Sequence, residues 1–469
     1  MPSICFYFQV HQPFRIKNYS FFDIGNSNEY EDDKKNEEIL NKVADKCYLK
    51  TNRKMLELIK RHRGDFKISY SISGTAIEQF EKYRPEVLQS FIDLANTGCV
   101  EFLSETYYHS LSFIYSKAEF KRQVEKHAAL IKKYFNQVPK VFRNTELIYN
   151  NELASYIEDM GYKGLICEGL DRALNGRSPN FLYQPVGASK IKLLLKNYRL
   201  SDDIAFRFSD KGWAEFPLTA NKFKDWVHSI AGNGETVNLF MDYETFGEHQ
   251  WESTGIFNFL DQLPAEILKH PDFTFKTPSE VVGNLPTRGI YDVHNFSSWA
   301  DTERDLSAWL SNSMQQEAIK HIYSVEHEVL SCGDPEIIKM WEHLQTSDHY
   351  YYMCTKFWND GDVHKYFSPF ESPYDAYLYF MNVFSDLECR IKALRKKAKK
   401  SMRPVLKDAI NKSKKLAIES LLVQAQKQAN RKIIEKTVAK TNAKPQYFVA
   451  SQDQLKQQYS KMFAYMCEE

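Results

Sequence analysis

The stretch VNLFMDYETFGEHQW, residues 237–251, runs an apolar segment straight into three carboxylates, Asp242, Glu244 and Glu248. Charge at the end of an apolar run is costly to bury, so such a cluster either faces water or does chemistry. The pattern recurs along the chain. ICFYFQV leads to His11-Gln12-Pro13, FKISYSI to Ser73-Gly74, VEFL to Ser104-Glu105, VFRN to Thr145-Glu146 and GLIC to Glu168. Between these runs lie segments of helical period, such as EEILNKVADKCYLKTNRKMLELIKRH and SKAEFKRQVEKHAALIKKYF. Strand then helix, repeated, is the mark of parallel β/α units, and strands buried on both faces read as continuous apolar runs. In a parallel barrel, functional groups gather at the C-terminal strand ends, where His11, Glu146 and Asp242 all fall.

After about residue 285 the texture changes. SSWADTERDLSAWLSNSMQQEAIKHIYSVEHEVL and SPYDAYLYFMNVFSDLECRIKAL carry helical spacing with few strand signals. The expected organisation is therefore α/β, with a barrel over 1–285, a helical region over 286–390 that completes the cleft, and a basic helical tail over 391–469. From Arg390 to Lys440 there are 17 Lys/Arg against 3 Asp/Glu, so the net charge of +1 hides an acidic body and a basic tail. An acidic body argues against a nucleic-acid groove. Leu406, Ile410, Leu416, Leu421 and Ile433 thread the tail and fit a solvated amphipathic helix better than a surface for an anionic partner.

The eight cysteines are scattered, with no C-x-x-C pair and no zinc spacing, which suits a reducing compartment. MPSICFYFQVHQP lacks a basic leader and no apolar run is long enough to cross a membrane, so a cytoplasmic protein is expected. No phosphate-binding, dinucleotide, nucleophile-elbow or H-E-x-x-H motif is present. NDGDVH at 359–364 has neither the spacing nor the closing Glu of a calcium loop. No metal site and no cofactor are expected.

Asp242 and Glu244, two apart, point to one side of an extended backbone. Each raises the other's cost of ionisation, which favours a protonated carboxyl, the form a general acid needs. Glu146 ends another strand and can face Asp242 across the barrel mouth. Two such carboxylates are the equipment of glycoside hydrolysis. Taken singly, each also fits a plainer role: a solvated loop edge for the acidic triplet, the first turn of a helix for Glu146, a satisfied structural histidine for His11.

The set VHQP, GCVEFL, FRNTELIYN, FMDYETFGEHQW and LQTSDHYYYM, in this order, resembles the five sequence regions of glycoside hydrolase family 57, nearest to its α-amylase branch. The resemblance implies an incomplete (β/α)7 barrel followed by helices, with no metal in catalysis. It implies retaining cleavage of α-glucans or maltooligosaccharides, mainly at α-1,4 bonds, through a covalent glycosyl-enzyme. By position, Glu146 becomes the nucleophile and Asp242 the general acid/base. His11, with Gln12 beside it, lines the subsite of the cleaved sugar, and Glu244 steadies Asp242. Asp348 lies near the site, Tyr351 and Tyr352 are stacking platforms, and His109 faces substrate. Trp299 and Trp251 are further sugar platforms or core residues. One departure is Cys99, which stands where much of the family has Gln, ahead of Glu101. Three rivals stay open: a 4-α-glucanotransferase or branching enzyme, a non-catalytic glucan-binding protein, and a metal-dependent deacetylase.

Overall fold

The computed structural model describes residues 2–356 and 368–440, with the side chains of 398–406 and 437–440 left aside; NDGDVH and the chain beyond 440 lie outside the described residues. The strands are β1 (Ser3–Val10), β2 (Ile68–Ile72), β3 (Val100–Phe102), β4 (Val141–Arg143), β5 (Gly164–Glu168), β6 (Leu182–Pro185), β7 (Lys192–Lys196), β8 (Thr236–Asp242), β9 (Thr274–Phe275) and β10 (Thr287–Tyr291). Six of them are the apolar runs quoted above.

Parallel ladders join β3-β2-β1-β8 on one side and β7-β5-β4 on the other. Two short seams close the ring. Ser104 bridges Phe142, and the Asn238 side chain donates to Leu195 O at 2.8 Å while Asn197 N donates to Asn238 O at 2.9 Å. The strands β1, β2, β3, β4, β5, β7 and β8 thus make the incomplete (β/α)7 barrel. β6 pairs antiparallel with β7 and parallel with β10, forming a wing outside the ring.

The period of two along each strand sorts the core. Ile4, Phe6, Phe8 and Val10 pack outward against the helices, whereas Cys5 and Tyr7 point inward with Leu103, Val141, Ile166, Leu194 and Phe240. Higher in the barrel the inward positions become polar. Tyr7 donates to Gln9 at 2.7 Å, Ser71 donates to Gln9 at 2.7 Å, and Gln9 stands in register with Asp242. An apolar floor under a polar rim is what a barrel with a site at its mouth requires.

The first long helical segment is not one helix. Asp33–Val43 and Leu49–Arg61 are separated by a wide turn over Ala44–Tyr48, in which Cys47 Sγ donates to Tyr243 O at 3.3 Å. Wide turns of this kind recur at functional sites. Gly247 sits against this turn at φ +114°, where a Cβ would lie 2.1 Å from Lys46 O, so only glycine fits.

The chain forms one compact unit up to Ile391 and another from Lys392. Helices Pro335–His343 and Ser347–Tyr351 belong to the first, and a long helix spans Pro373–Lys440. In the second unit Ile410, Leu416 and Leu421 are exposed. Among the described residues no helix is long and apolar enough to cross a membrane, and no group of three or more His, Cys, Asp or Glu is placed to hold a metal.

Candidate active site

Glu146 stands three residues past β4 in the left-handed backbone region, at φ 57°. Such a conformation is strained for glutamate and persists only where the surroundings impose it. Here they do. Trp299 N donates to Glu146 O at 3.2 Å, Trp299 Nε1 donates to Oε2 at 2.8 Å, and His109 Nε2 donates to Oε1 at 3.1 Å. Burial pushes the Glu146 carboxyl up, but the His109 hydrogen bond and charge, Arg143 and Trp299 outweigh it and hold the group below the usual value.

Asp242, closing β8, has the opposite environment. Its side chain makes no capping hydrogen bond to the turn that follows. Burial first, and then the negative charge of Glu146, push it up to about 6, against the pull of Arg143, Lys196 and His109. The two carboxyls therefore feel each other's charge from different strands while their environments drive them apart in ionisation. Environments that separate two acids in this way define which carries a proton near neutral pH.

Glu244 is buried and accepts from the Tyr48 hydroxyl, which the wide turn delivers. Burial and the neighbouring Asp242 push it up to about 8, so it stays protonated beside an ionising Asp242. Gln12 donates to Tyr48 OH at 3.1 Å and is buried behind it, so it supports Tyr48 instead of lining the subsite. Glu248 is tied to Lys42 at 2.5 Å and Lys46 at 3.7 Å. The triplet thus divides: Asp242 at the mouth, Glu244 in reserve, Glu248 neutralised at the rim.

His11 stacks on His109 with ring centroids 3.9 Å apart. Burial and the His109 charge push His11 down, so it is neutral: Ser73 donates to Nδ1 at 2.7 Å and Nε2 donates to Asp348 Oδ2 at 2.9 Å. Asp348 opposes its own burial penalty through His11, His109 and Arg15, which hold it well below the usual carboxylate range. A residue far along the chain is thereby joined to the end of β1.

Other expectations need correcting. His109 does not present its ring to substrate, because one face lies on His11 and both nitrogens are engaged, Nδ1 by Glu105 Oε2 at 3.0 Å. Tyr352 is 3 % exposed, with its ring against His349 and Phe370, so it is no stacking platform. Tyr351 is half-buried, close enough to Glu146 and Asp348 to feel their charges. Trp299 has Arg143 5.4 Å and Lys196 5.2 Å from its ring, so cations hold it while its edge serves Glu146. Trp251 is 61 % exposed at the rim, with Lys46 5.9 Å from its ring.

The sequence reasoning assigned nothing to Glu105, Arg143, Ser73, Tyr48 or Lys196. Glu105 and Arg143 were visible as charges at the ends of VEFLSE and VFR, inside motifs already singled out. Lys196 ends KLLLK, a strand bracketed by lysines, and Tyr48 was hidden inside what reads as continuous helix.

A parallel barrel whose mouth holds two carboxyls of opposed ionisation, framed by histidines and a tryptophan, has the equipment of a glycoside-cleaving enzyme. The sequence profile of Glycosyl hydrolase family 57 matches residues 5–294, and the chain belongs to that family. It is 47 % identical over 405 residues to a Methanocaldococcus jannaschii protein named "Putative alpha-amylase", covering 83 % of this chain and 85 % of that one. Among solved structures, the family 57 branching enzyme of Pyrococcus horikoshii matches with a TM-score of 0.61 at 14 % identity, over 81 % of this chain and 88 % of that one. The 4-alpha-glucanotransferase of Thermococcus litoralis matches with 0.54 at 16 % identity, over 74 % and 56 %. The protein is a glycoside hydrolase of this family, and the structural likenesses speak to its fold.

Proposed function

We propose that this enzyme cleaves α-glucosidic bonds, mainly α-1,4, in glycogen-type glucans or maltooligosaccharides by a retaining mechanism. The observation that carries the reading is the placement of Glu146, held beyond β4 by His109 and Trp299, and of Asp242 at the end of β8, where each carboxyl feels the other's charge. Asp242, pushed up to about 6, protonates the glycosidic oxygen as the bond breaks. Glu146, kept ionised by His109 and Trp299, attacks the anomeric carbon and forms the glycosyl-enzyme. Asp242, now a carboxylate, takes a proton from water, and the resulting hydroxyl displaces Glu146 from the sugar. Glu244, protonated through this cycle, keeps a second negative charge away from Asp242. His11, its ring nitrogens taken by Ser73 and Asp348 and one face lying on His109, packs at the mouth against the cleaved sugar without a hydrogen bond of its own, and Tyr351 supplies an aromatic face beside it. The seven free cysteines among the described residues support a cytoplasmic location.

The test is incubation with amylose and maltoheptaose, wild type beside Glu146→Gln and Asp242→Asn, each checked for fold by circular dichroism. Both substitutions are expected to lower turnover by about 10²–10⁴-fold or more. Full turnover in either folded variant refutes the assignment. The products decide the acceptor: shorter chains alone mean water, and chains longer than the substrate mean transfer to a sugar hydroxyl. Glucan affinity without turnover in the wild type would make the protein a binder.

A further inference from the structure

Glu105 and His109 are four residues apart in the loop after β3, and His109 takes a left-handed backbone at φ 52° to turn its ring toward Glu146. Glu105 is wholly buried. Its Oε2 accepts from His109 Nδ1 at 3.0 Å, its Oε1 accepts from Gln9 Nε2 at 3.2 Å, and Arg143 Nη1 lies 3.6 Å away. His109 Nε2 completes the line by donating to Glu146 at 3.1 Å. One imidazole thus spans two carboxylates, which it can do at both nitrogens only as a cation. With His109 charged, Glu105, Arg143, His109 and Glu146 form two positive and two negative groups. With His109 neutral, an unbalanced negative charge would be left in a site that substrate desolvates, which is costly. Neither histidine next to this line competes for the charge. His11, stacked on His109, is neutral, and His127 Nδ1 accepts from Glu105 N at 3.2 Å.

We infer that Glu105, with Arg143 beside it, is a positioning residue: acting through His109, it keeps Glu146 ionised and aimed under acidic conditions where Asp242 still carries its proton. The inference rests on Glu146 and Asp242 being the reacting pair. Its consequence follows the charge through the reaction. When Glu146 becomes an ester it stops balancing His109, and Glu105 alone then holds the imidazolium in place until water frees the carboxylate. Burial works against charge on His109 and on Glu105, but their mutual bond wins: His109 is pushed up to about 9 and Glu105 down to about 2. The charged groups that face this line are Arg143, Asp242 and, beyond His11, Asp348, and the neutral titratable ones are His11, His127, Tyr7 and Tyr351.

Glu105→Gln keeps the shape and the Gln9 contact but removes the charge. The expected result is an acidic limb of kcat/KM moved up by about one pH unit or more, so that kcat/KM falls about tenfold at pH values well below the wild-type limb. Titration of ¹⁵N-histidine-labelled protein by NMR, with His109 assigned from His109→Asn, gives a readout independent of activity. His109 is expected to stay protonated above pH 8 in the wild type and to titrate lower in the variant. A folded Glu105→Gln enzyme with both the limb and the titration unmoved overturns the inference. If that variant does not fold, the wild-type titration decides, and a His109 that is neutral at pH 7 overturns it. Glu146→Gln and Asp242→Asn run alongside: activity in those variants sinks the reacting pair, whereas the His109 titration reports on Glu105 whatever they show.

Discussion

His343 ends the helix Pro335–His343, and both its ring nitrogens are held by the barrel. Nδ1 donates to Glu31 Oε1 at 2.5 Å and Nε2 to Glu78 Oε2 at 3.1 Å, while Phe14 stacks on the ring at a centroid distance of 4.5 Å. Burial disfavours the imidazolium, but the two carboxylates overcome it and push His343 up from 6.5 to about 9. The side chain is 3 % exposed, so screening by water is slight. A difference of about 2.5 pH units at 1.36 kcal/mol each is worth about 3 kcal/mol of folding free energy. The sign follows from the raised folded value: this stability is complete below about pH 6.5 and is lost as pH rises through about 9. His343→Gln is therefore expected to be about 3 kcal/mol less stable than wild type at pH 6 and nearly equal to it by about pH 10. Urea unfolding at both pH values measures this, with the m-value unchanged. His109 is present in both proteins, so its own titration cancels in the difference. A gap that is constant from pH 6 to pH 10, or no gap at pH 6, refutes the reasoning.

Two further outcomes follow from the site. Trp299→Phe keeps a ring between Arg143 and Lys196 but removes the N–H that lies 2.8 Å from Glu146 Oε2. A hydrogen bond to a charged group contributes about 1.5–3 kcal/mol, so the acidic limb of kcat/KM should move up by about one to two pH units; an unmoved limb would show that the indole holds Glu146 by packing alone. In the wild type, the Asp242 value of about 6 makes kcat/KM fall about tenfold per pH unit above pH 6, with the acidic limb below 4.5 because Glu146 is lowered from that value. A profile flat from pH 6 to pH 8 contradicts this.

What the sequence made legible follows the physics of each element. β1, β2, β5 and β8 read clearly because both faces are buried and the runs are long. β6 and β7 did not, since LYQP carries a Gln and a Pro, KLLLK is bracketed by lysines, and the ladder between them is antiparallel. The wide turn at Ala44–Tyr48 was invisible because its residues carry ordinary helical spacing, and only the approach of Gly247 accounts for it. The site followed the same rule. Glu146, Asp242, His11 and Asp348 could be placed because strand ends and ordered motifs locate them. What holds each one was not legible. The links from His109 and from Trp299 to Glu146 join segments whose approach is fixed by barrel closure, and no local pattern encodes that.

The backbone carbonyl of Glu146 hangs from Trp299 N, and Tyr149 is bridged to Ser297 just beside it. The family match ends at residue 294, five positions short of that tether. Anyone trimming this protein to the span of that match would keep Glu146 and cut the strap that holds its backbone, leaving a carboxylate with a slack mooring.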